Sequence, residues 1–314
     1  MGVGKVSRAK LKGYVMFRIG VSGCGYWGST LVRTLREMED VRVEAIADPD
    51  PEARRRVASL LNGDVKTHAS FDCLLGDRID GIVVATPPAF HVEQAVAALH
   101  KGKAVFLEKP PATSLSDLEL LLATAPGQTL MCDYVFCYNP LIKLVKKELG
   151  DDFVPVTVRC DWTNWGIVRS DVDAWWNIAP HPLSVLVFLF KQIQMTGCYR
   201  GNGFADAQLK VGENGFASIF ISWFHPMKIR KIEIVGARRS VIFDDVGRKV
   251  WLIKHDDLNG GISSPNIEYK PMPLEAALRD FVACAKTGRE PVAGREMIER
   301  VTKLMVEKRK EENV

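Results

Sequence analysis

The stretch Gly20-Val-Ser-Gly-Cys-Gly-Tyr-Trp-Gly28 decides the fold of the first half of the chain. A short apolar run leads into it and a helical pattern of apolar residues follows it, so Gly23, Gly25 and Gly28 lie at a strand-to-helix turn. In this G-x-G-x-x-G spacing the first glycine permits a tight turn, the second lets a pyrophosphate approach the backbone, and the third lets the helix pack on the strand. The phosphates would lie at the helix N-terminus, where free N–H groups favour anions. The stretch therefore predicts a dinucleotide site.

Short apolar runs alternate with helical periodicity over the rest of this half. Five runs predict strands: Arg18–Ser22, Val43–Ala47, Gly81–Ala85, Ala104–Leu107 and Thr129–Cys132. The runs are continuously apolar, as is typical of parallel strands whose two faces are both covered by helices. Together they predict an α/β domain with a doubly wound parallel sheet, the Rossmann arrangement.

An acidic residue stands at the position expected for ribose recognition. Asp48 ends the second predicted strand, twenty residues past Gly28, where a carboxylate can accept hydrogen bonds from the adenosine ribose hydroxyls. An acid at this position favours NAD over NADP. Because Arg54 and Arg55 open the next predicted helix and could reach a 2′-phosphate, NADP stays open as the alternative cofactor.

The second half of the chain alternates apolar and polar residues, which predicts an α+β domain with an open-faced, mostly antiparallel sheet. The predicted strands are Val154–Asp161, Met195–Tyr199, Ala207–Val211, Phe216–Trp223, Lys231–Val235, Ser240–Phe243 and Val250–Ile253. The predicted helices are Leu141–Leu149, Leu183–Phe190, Leu274–Lys286 and Arg295–Glu311. We expect a flexible leader at 1–16, the dinucleotide domain at 17–134, a substrate-binding and oligomerisation domain at 135–290, and a helix at 291–314 that returns toward the first domain.

Length and composition exclude several classes of protein. The 314 residues suffice for two compact domains. The formal net charge of +4 comes entirely from Lys5, Arg8, Lys10 and Lys12, and the remainder has 38 basic and 38 acidic residues, which argues against a nucleic-acid partner. The longest apolar run, Leu183–Phe190, is too short to cross a membrane. Seven cysteines without a C-x-x-C spacing and six scattered histidines predict a reduced, cytoplasmic chain without a metal site.

Two further motifs accompany the glycine turn. They are Thr86-Pro-Pro-Ala-Phe-His91 and Glu108-Lys109-Pro110, and each follows a predicted strand. In this order and spacing the three elements resemble the glucose-fructose oxidoreductase, inositol dehydrogenase and rhizopine catabolism (Gfo/Idh/MocA) family. The resemblance implies that a pyridine nucleotide oxidises or reduces a sugar, polyol or nucleotide sugar. It also implies a homodimer or homotetramer formed through the second sheet.

The resemblance assigns roles to individual residues. The expected cofactor-binding residues are Gly23, Gly25, Tyr26, Trp27, Gly28, Asp48, Thr86, Pro87, His91, Glu108 and Lys109. In the family, the lysine that matches Lys109 hydrogen-bonds the nicotinamide ribose and the reacting oxygen. Lys109 also ends a buried parallel strand at the sheet edge where ligands bind, so its charge could stabilise an alkoxide. For His91, a cofactor contact and a role in packing the turn stay open.

A tryptophan-rich segment in the second half is the expected substrate site. Four tryptophans fall within fifteen residues: Trp162, Trp165, Trp175 and Trp176. Flat aromatic faces suit the C–H surface of a sugar, although packing within a loop and a helix start explains any single one of them. The expected substrate-binding residues are Asn139, Arg169, Asp173, Trp176, Asn177 and His181.

His181 opens the most apolar predicted helix and is the expected general base, with Lys109 as the other catalytic residue. The family places an Asp-x-x-x-His pair here, whereas this chain has Asn177-x-x-x-His181. Asparagine can hold an imidazole by a hydrogen bond but has no charge to support an imidazolium, so we expect a lower pKa for His181. The departure leaves two functions open. One is an NAD(P)-dependent dehydrogenase acting on CH–OH groups, and the other is a dinucleotide-binding sensor that has lost turnover.

Overall fold

The first half of the chain forms a six-stranded sheet in which every strand is parallel to its neighbours. Its strands are β1 (Phe17–Ser22), β2 (Val41–Ala47), β3 (Lys66–His68), β4 (Gly81–Val84), β5 (Ala104–Leu107) and β6 (Leu130–Cys132). In the computed structural model, which describes residues 16–166, 168–255 and 261–307, their order is β3-β2-β1-β4-β5-β6. The strand order reverses between β1 and β4, and in open α/β sheets the carboxyl ends on either side of such a reversal bind ligands.

Five helices accompany this sheet: α1 (Tyr26–Arg36), α2 (Pro51–Leu60), α3 (Asp72–Gly76), α4 (His91–His100) and α5 (Leu115–Ala123). The doubly wound parallel sheet is confirmed, and each of the five predicted strands is present within two residues of its predicted bounds. The sequence did not predict β3, because two of its three residues are exposed and it contains no apolar run.

The second half forms an eight-stranded sheet. Its strands are β7 (Pro155–Trp165), β8 (Ile193–Gly201), β9 (Phe204–Val211), β10 (Gly215–Ser222), β11 (Phe224–Gly236), β12 (Arg239–Asp244), β13 (Lys249–Lys254) and β14 (Ile262–Ser263). Their order is β14-β13-β12-β11-β7-β10-β9-β8, and within the described ranges all pairs are antiparallel except β7 with β10. The mostly antiparallel sheet is confirmed. Two-residue β14 is exposed and left no sequence pattern.

The two faces of the second sheet differ in burial, as the sequence predicts. In β10 the side chains of Ala217, Ile219 and Ile221 are fully buried, whereas those of Phe216 and Phe220 on the opposite face are exposed or partly exposed. One face therefore packs against the helices, and the other is open in the single chain.

Five more helices complete the fold: α6 (Pro140–Leu149), α7 (Ala174–Ile178), α8 (Pro180–Leu189), α9 (Pro273–Thr287) and α10 (Arg295–Val306). The most apolar helix begins at Pro180, three residues before its predicted start, and only Ala179 separates it from α7. Helix α10 ends at Val306, short of the predicted Glu311, and residues 308–314 lie outside the described ranges. Most of the expected leader, residues 1–15, lies outside them as well.

Helix α10 connects the two halves of the molecule. It packs against α5 in the first half and α8 in the second. At its start, the Arg295 guanidinium donates hydrogen bonds to carbonyl oxygens at the end of α5 and just beyond it, including that of Leu122 at 2.9 Å. At its end, Met305 O accepts from Trp175 Nε1 at 3.0 Å. Among all helices of the described residues, none combines the length and the hydropathy required to span a membrane.

Candidate active site

The glycine turn after β1 has the geometry that a pyrophosphate requires. Gly23 has a φ of +93°, and a Cβ on it would lie 2.5 Å from Ala85 O. A Cβ on Gly28 would overlap Gly23 O. A Cβ on Gly25 would meet no atom within 4 Å, so the space above this residue is open. Helix α1 starts there without a side-chain cap, which leaves the N–H groups of its first turn for an anion.

Asp48 braces the glycine turn through both of its carboxylate oxygens. Its Oδ2 accepts from Cys24 N at 2.7 Å, and its Oδ1 accepts from Asp50 N at 2.8 Å. The side chain thus lies beside the turn, at the end of β2. Carboxylate oxygens hold more than one acceptor site each, so these contacts leave capacity for a ribose hydroxyl.

Of the two arginines that the sequence predicted beside Asp48, only one lies there. Arg54 donates to the backbone oxygen of Asp48 and Arg56 donates to that of Cys24, the latter at 3.1 Å. Arg55 instead forms an exposed ion pair with Glu52, one turn earlier on α2. The guanidinium groups beside the expected adenosine site are therefore those of Arg54 and Arg56, whereas that of Arg55 is held by Glu52.

The Thr86-to-His91 motif forms a turn that His91 holds from inside the protein. His91 is 1% exposed, with Nδ1 2.8 Å from Pro110 O and Nε2 2.8 Å from Thr86 O. Burial lowers the pKa of His91, and a neutral imidazole has a single N–H, so one of these contacts is a hydrogen bond and the other a close approach. His91 ties the turn after β4 to the turn after β5, which favours the packing interpretation over a cofactor contact.

Tyr26 and Trp27 lie at the surface beside the glycine turn. Tyr26 is 80% exposed and Trp27 is 40% exposed, and their rings pack edge to face. Both are accessible to a ligand. Thr86 and Pro87, predicted with them, form the neighbouring turn after β4, where Ala85 already contacts the glycine turn.

Lys109 leaves the carboxyl end of β5 and reaches across to the second half of the molecule. Its Nζ donates to Asn177 O at 2.7 Å and to Asn177 Oδ1 at 3.2 Å. Burial lowers the pKa of Lys109, and the adjacent Glu108 carboxyl opposes this effect. An ammonium has three N–H donors, so the two contacts with Asn177 leave one donor for a ligand.

Glu108 lies inside the protein, together with an acid that the sequence analysis did not single out. Glu108 is 6% exposed, and Asp133, which follows β6, is 4% exposed. Glu108 Oε2 accepts from Lys109 N at 3.2 Å. The available sequence signal for Asp133 was its place: an acid directly after a buried parallel strand, at the same sheet edge as Lys109.

His181 lies on α8 against an aromatic wall. Its ring packs edge to face on Phe136, with centroids 5.2 Å apart. The residue is partly exposed, but Nδ1 is buried and has no hydrogen-bond partner among the described residues. Burial lowers the pKa of His181 well below its ordinary value, and the positive charges of Lys109 and Arg230 act in the same direction. The lowered pKa agrees with the sequence expectation.

The expected hydrogen bond between Asn177 and His181 is absent. The amide oxygen of Asn177 accepts from Lys109 instead. Asn177 lies in the last turn of α7 and His181 in the first turn of α8, and Ala179 between them keeps helical dihedral angles. The i, i+4 argument failed here because Lys109, which is distant in the chain, takes the amide oxygen.

The remaining predicted substrate residues divide into two groups. Arg169 Nε donates to Asp171 at 2.8 Å, and Asp173 caps α7 by accepting from Trp176 N at 2.9 Å. These residues are exposed or partly exposed, and the charge of Arg169 acts on Lys109. Asn139, in contrast, is fully buried. The side chain of Asn139 caps α6 and donates to Asp245. Both of its polar atoms are therefore engaged within the protein.

The tryptophan segment does not form one continuous wall. Trp162 and Trp175 are 3% and 1% exposed and belong to the core. Trp165 is 73% exposed at the end of β7, and Trp176 is partly buried. Only the latter two have faces that a ligand could cover. Arg230, which approaches His181 from β11 and pairs with Asp245 at 3.2 Å, left no local signal in the sequence.

Comparison with known proteins agrees with this geometry. Residues 17–136 match a family model described as the oxidoreductase family with an NAD-binding Rossmann fold (GFO_IDH_MocA). Over nearly the whole chain, the protein is similar to a solved structure of UDP-N-acetylglucosamine 3-dehydrogenase GnnA from Acidithiobacillus ferrooxidans. The TM-score is 0.82 at 18% identity, with 93% of this chain and 96% of that chain covered. At this identity the likeness establishes the fold.

Two curated relatives differ in how much of each protein is matched. The 4-carboxy-2-hydroxymuconate-6-semialdehyde dehydrogenase of Sphingobium sp. (strain NBRC 103272 / SYK-6) is 24% identical over 87% of this chain and 92% of its own length. Inositol 2-dehydrogenase 1 of Saccharopolyspora erythraea is 35% identical, but over only 46% of this chain and 44% of its own length. The chain thus spans less than half of the second relative. Residues 17–136 of this chain are thus similar to the Gfo/Idh/MocA oxidoreductase family in motifs, fold and family model.

Proposed function

We propose that the protein is an NAD(P)-dependent dehydrogenase that transfers hydride between the cofactor and a secondary hydroxyl of a sugar, polyol or nucleotide sugar. The observation that carries the proposal is the contact between Lys109 and the α7–α8 segment. It brings the ammonium group at the carboxyl edge of the first sheet next to His181 and the exposed polar residues of the second half. The cytoplasm suits such a chain, since all seven cysteines are free thiols.

The residues present fit a dinucleotide. The open space above Gly25 and the first turn of α1 would hold the pyrophosphate, and Asp48 would accept from the adenosine ribose. Arg54 and Arg56 lie beside Asp48 and the glycine turn, where they could pair with a 2′-phosphate, which keeps NADP as an alternative to NAD. When bound, the nicotinamide supplies the acceptor or donor of the hydride.

Lys109 and His181 divide the chemistry at the hydroxyl. Because burial and neighbouring charges lower its pKa, His181 is neutral at physiological pH and can take the hydroxyl proton. Lys109 retains one N–H donor after its contacts with Asn177. That donor would stabilise the oxygen as its proton leaves. The reverse reaction uses the same groups with the proton moving back to the substrate oxygen.

The test is stopped-flow detection of NADH or NADPH formation with a panel of sugars, polyols and nucleotide sugars. We expect turnover with at least one panel member, and a loss of about 10²-fold or more in kcat for Lys109→Ala and for His181→Ala. Lys101→Ala, in an exposed lysine after α4, is the matched control and should keep full activity. Unchanged rates in both active-site variants would refute the mechanism. Saturable cofactor binding without turnover of any panel member would favour the sensor instead.

We also propose that a second copy of the chain covers the open face of the second sheet. Phe216 and Val235 are 49% and 39% exposed, and both pair with Thr157 on the neighbouring central strand. Arg159 pairs directly with Glu233, two residues along the strands from the pair of Thr157 and Val235. These side chains add charges of both signs that a two-fold-related copy could match. Light scattering on the eluting protein should give a dimer or tetramer for wild type and a monomer for Phe216→Glu. A monomeric wild type would refute this assembly.

A further inference from the structure

Two carboxyl groups lie together beneath Lys109, at the ends of adjacent strands. Leu107 of β5 pairs with Cys132 of β6, so the next residues, Glu108 and Asp133, stand side by side. The backbone fixes this placement, because Asp133 N donates to Leu107 O at 2.8 Å and Glu108 N donates to Val84 O at 2.9 Å. These hydrogen bonds hold the two backbones side by side at the sheet edge.

The two side chains are buried and short of donors. Glu108 and Asp133 are 6% and 4% exposed, and Glu108 Oε1 and Asp133 Oδ1 have no hydrogen-bond partner among the described residues. The pairing of β5 with β6 places these two buried acids on neighbouring strand ends, and each raises or lowers the pKa of the other. The ammonium of Lys109, the adjacent cation, is directed to Asn177 and donates to neither acid.

An ionised carboxylate has only acceptor atoms, so two ionised carboxylates cannot hydrogen-bond to each other. Two like charges in contact inside a protein also repel strongly, and such pairs hold one proton between them. We infer that Glu108 and Asp133 share one proton at neutral pH, and that Asp133 is a positioning residue which keeps a single negative charge behind Lys109.

This single charge has a consequence for Lys109. Burial lowers the pKa of the ammonium, and the carboxyl pair raises it. Burial in turn raises the pKa of both acids. Arg169 and Cys132 also act electrostatically on the pair or are acted on by it. The pair therefore supplies the counter-charge that keeps Lys109 protonated, which the proposed function requires of it.

The pair can be tested with shape-conserving amides. Asp133→Asn leaves Glu108 ionised, and Glu108→Gln leaves Asp133 ionised, so each single variant keeps one negative charge and one hydrogen bond between the side chains. The double variant has no charge. The singles should therefore resemble wild type in the pKa of Lys109, while the double variant should lower it, raising the acid dissociation constant by about 10- to 1,000-fold.

Infrared spectroscopy reads the shared proton directly and needs no substrate. At neutral pH the wild-type protein should show the carbonyl stretch of a protonated carboxylic acid, and both single variants should lose it. Asp80→Asn, which removes a carboxyl that Arg18 keeps ionised, is the matched control and should retain the band. Absence of the band in wild type, or its persistence in either single variant, would overturn the proposal.

The charge on Lys109 is measured separately, from the pH dependence of its acylation by a small amine reagent, located by mass spectrometry. If each single variant lowered the pKa of Lys109 by about half as much as the double variant does, both acids would be ionised in the wild-type protein. That result would also overturn the proposal. If the double variant does not fold, the infrared result on wild type and the singles still decides. Because neither readout involves turnover, an inactive substrate panel would count against the proposed function alone.

Discussion

Two turns at the same edge of the first sheet carry the proposed chemistry, and they are built by different means. The turn after β1 depends on its backbone. A side chain would not fit at Gly23 or Gly28, and the space above Gly25 is open. The turn after β5 depends on charged side chains. Glu108 and Lys109 are buried there, and Lys109 contacts Asn177, 68 positions later in the chain. The first turn is held by residues of the first half alone, whereas the second needs both halves of the molecule.

This difference teaches where each site is vulnerable. A backbone turn fails by steric overlap, which a single methyl group can cause. A site made of buried charges fails by a change of protonation, with little change of shape. The following predictions separate these two kinds of failure.

The largest effect is expected from glycine substitutions in the first turn. Gly28→Ala places a Cβ into the Gly23 carbonyl oxygen, so the turn must move, and we expect loss of cofactor binding with about 1–3 kcal/mol of destabilisation. Gly25→Ala meets no protein atom, so the free energy of unfolding should change by less than ~1 kcal/mol, while the affinity for NADH falls at least about tenfold.

Urea unfolding and NADH fluorescence titration measure the two quantities for both variants. The pair forms its own control, since both substitutions add the same methyl group to the same turn. Full cofactor affinity in Gly25→Ala would show that the open space above this residue does not hold the pyrophosphate.

A smaller effect is expected at residue 177, where the second turn meets α7. Asn177→Asp would place a carboxylate where an amide oxygen now lies 3.2 Å from Lys109 Nζ. An opposite charge at this distance raises the pKa of an ammonium, by about one to three on the pH scale. The alkaline limb of the pH–rate profile should therefore move to higher pH, and Lys109 acylation should show the same shift without substrate.

The matched control is Asn177→Ala, which removes the side-chain acceptor but keeps the 2.7 Å contact of Lys109 with the backbone oxygen. It should leave the alkaline limb close to its wild-type position. A shift of the acid limb alone in Asn177→Asp would instead mean that residue 177 acts on His181, as the sequence pattern first suggested.

The same contrast explains which parts of the molecule could be predicted from the sequence. Short-range patterns gave the glycine turn, Asp48 at the end of β2 and the apolar strands, because each depends on neighbours in the chain. The predicted Asn177–His181 contact was wrong because Lys109, 68 positions earlier in the chain, takes the amide oxygen of Asn177.

Other features depend on residues that are distant in the chain. Arg230 reaches His181 from β11, and Asp133 meets Glu108 only because β5 and β6 pair in one register. Both strands are buried throughout, so neither has the apolar–polar alternation that would specify its register. His91 shows a related limit: its motif placed it in a turn, but only its two carbonyl contacts favour packing over ligand binding.

The smallest expected effect concerns the free energy of unfolding. It tests the protonation of the buried site around Lys109 and needs no cofactor. Burial lowers the pKa of both His91 and His181, so the folded protein binds fewer protons than the unfolded chain, whose histidines titrate at about pH 6.5. Stability is therefore retained above about pH 6.5 and lost as the pH falls below it, by up to ~1.4 kcal/mol per pH unit for each histidine.

Urea unfolding at about pH 7 and about pH 5 measures this loss. His181→Gln should reduce it by about 1–2 kcal/mol, because the variant has one fewer buried base to protonate on unfolding. His100→Gln, at an exposed position at the end of α4, should leave it unchanged. The raised pKa values of Glu108 and Asp133 act in the opposite direction, but they contribute equally to wild type and both variants, so the difference isolates His181. An equal loss in wild type and His181→Gln would mean that His181 takes up its proton in the folded state, and a histidine so charged could not serve as the base.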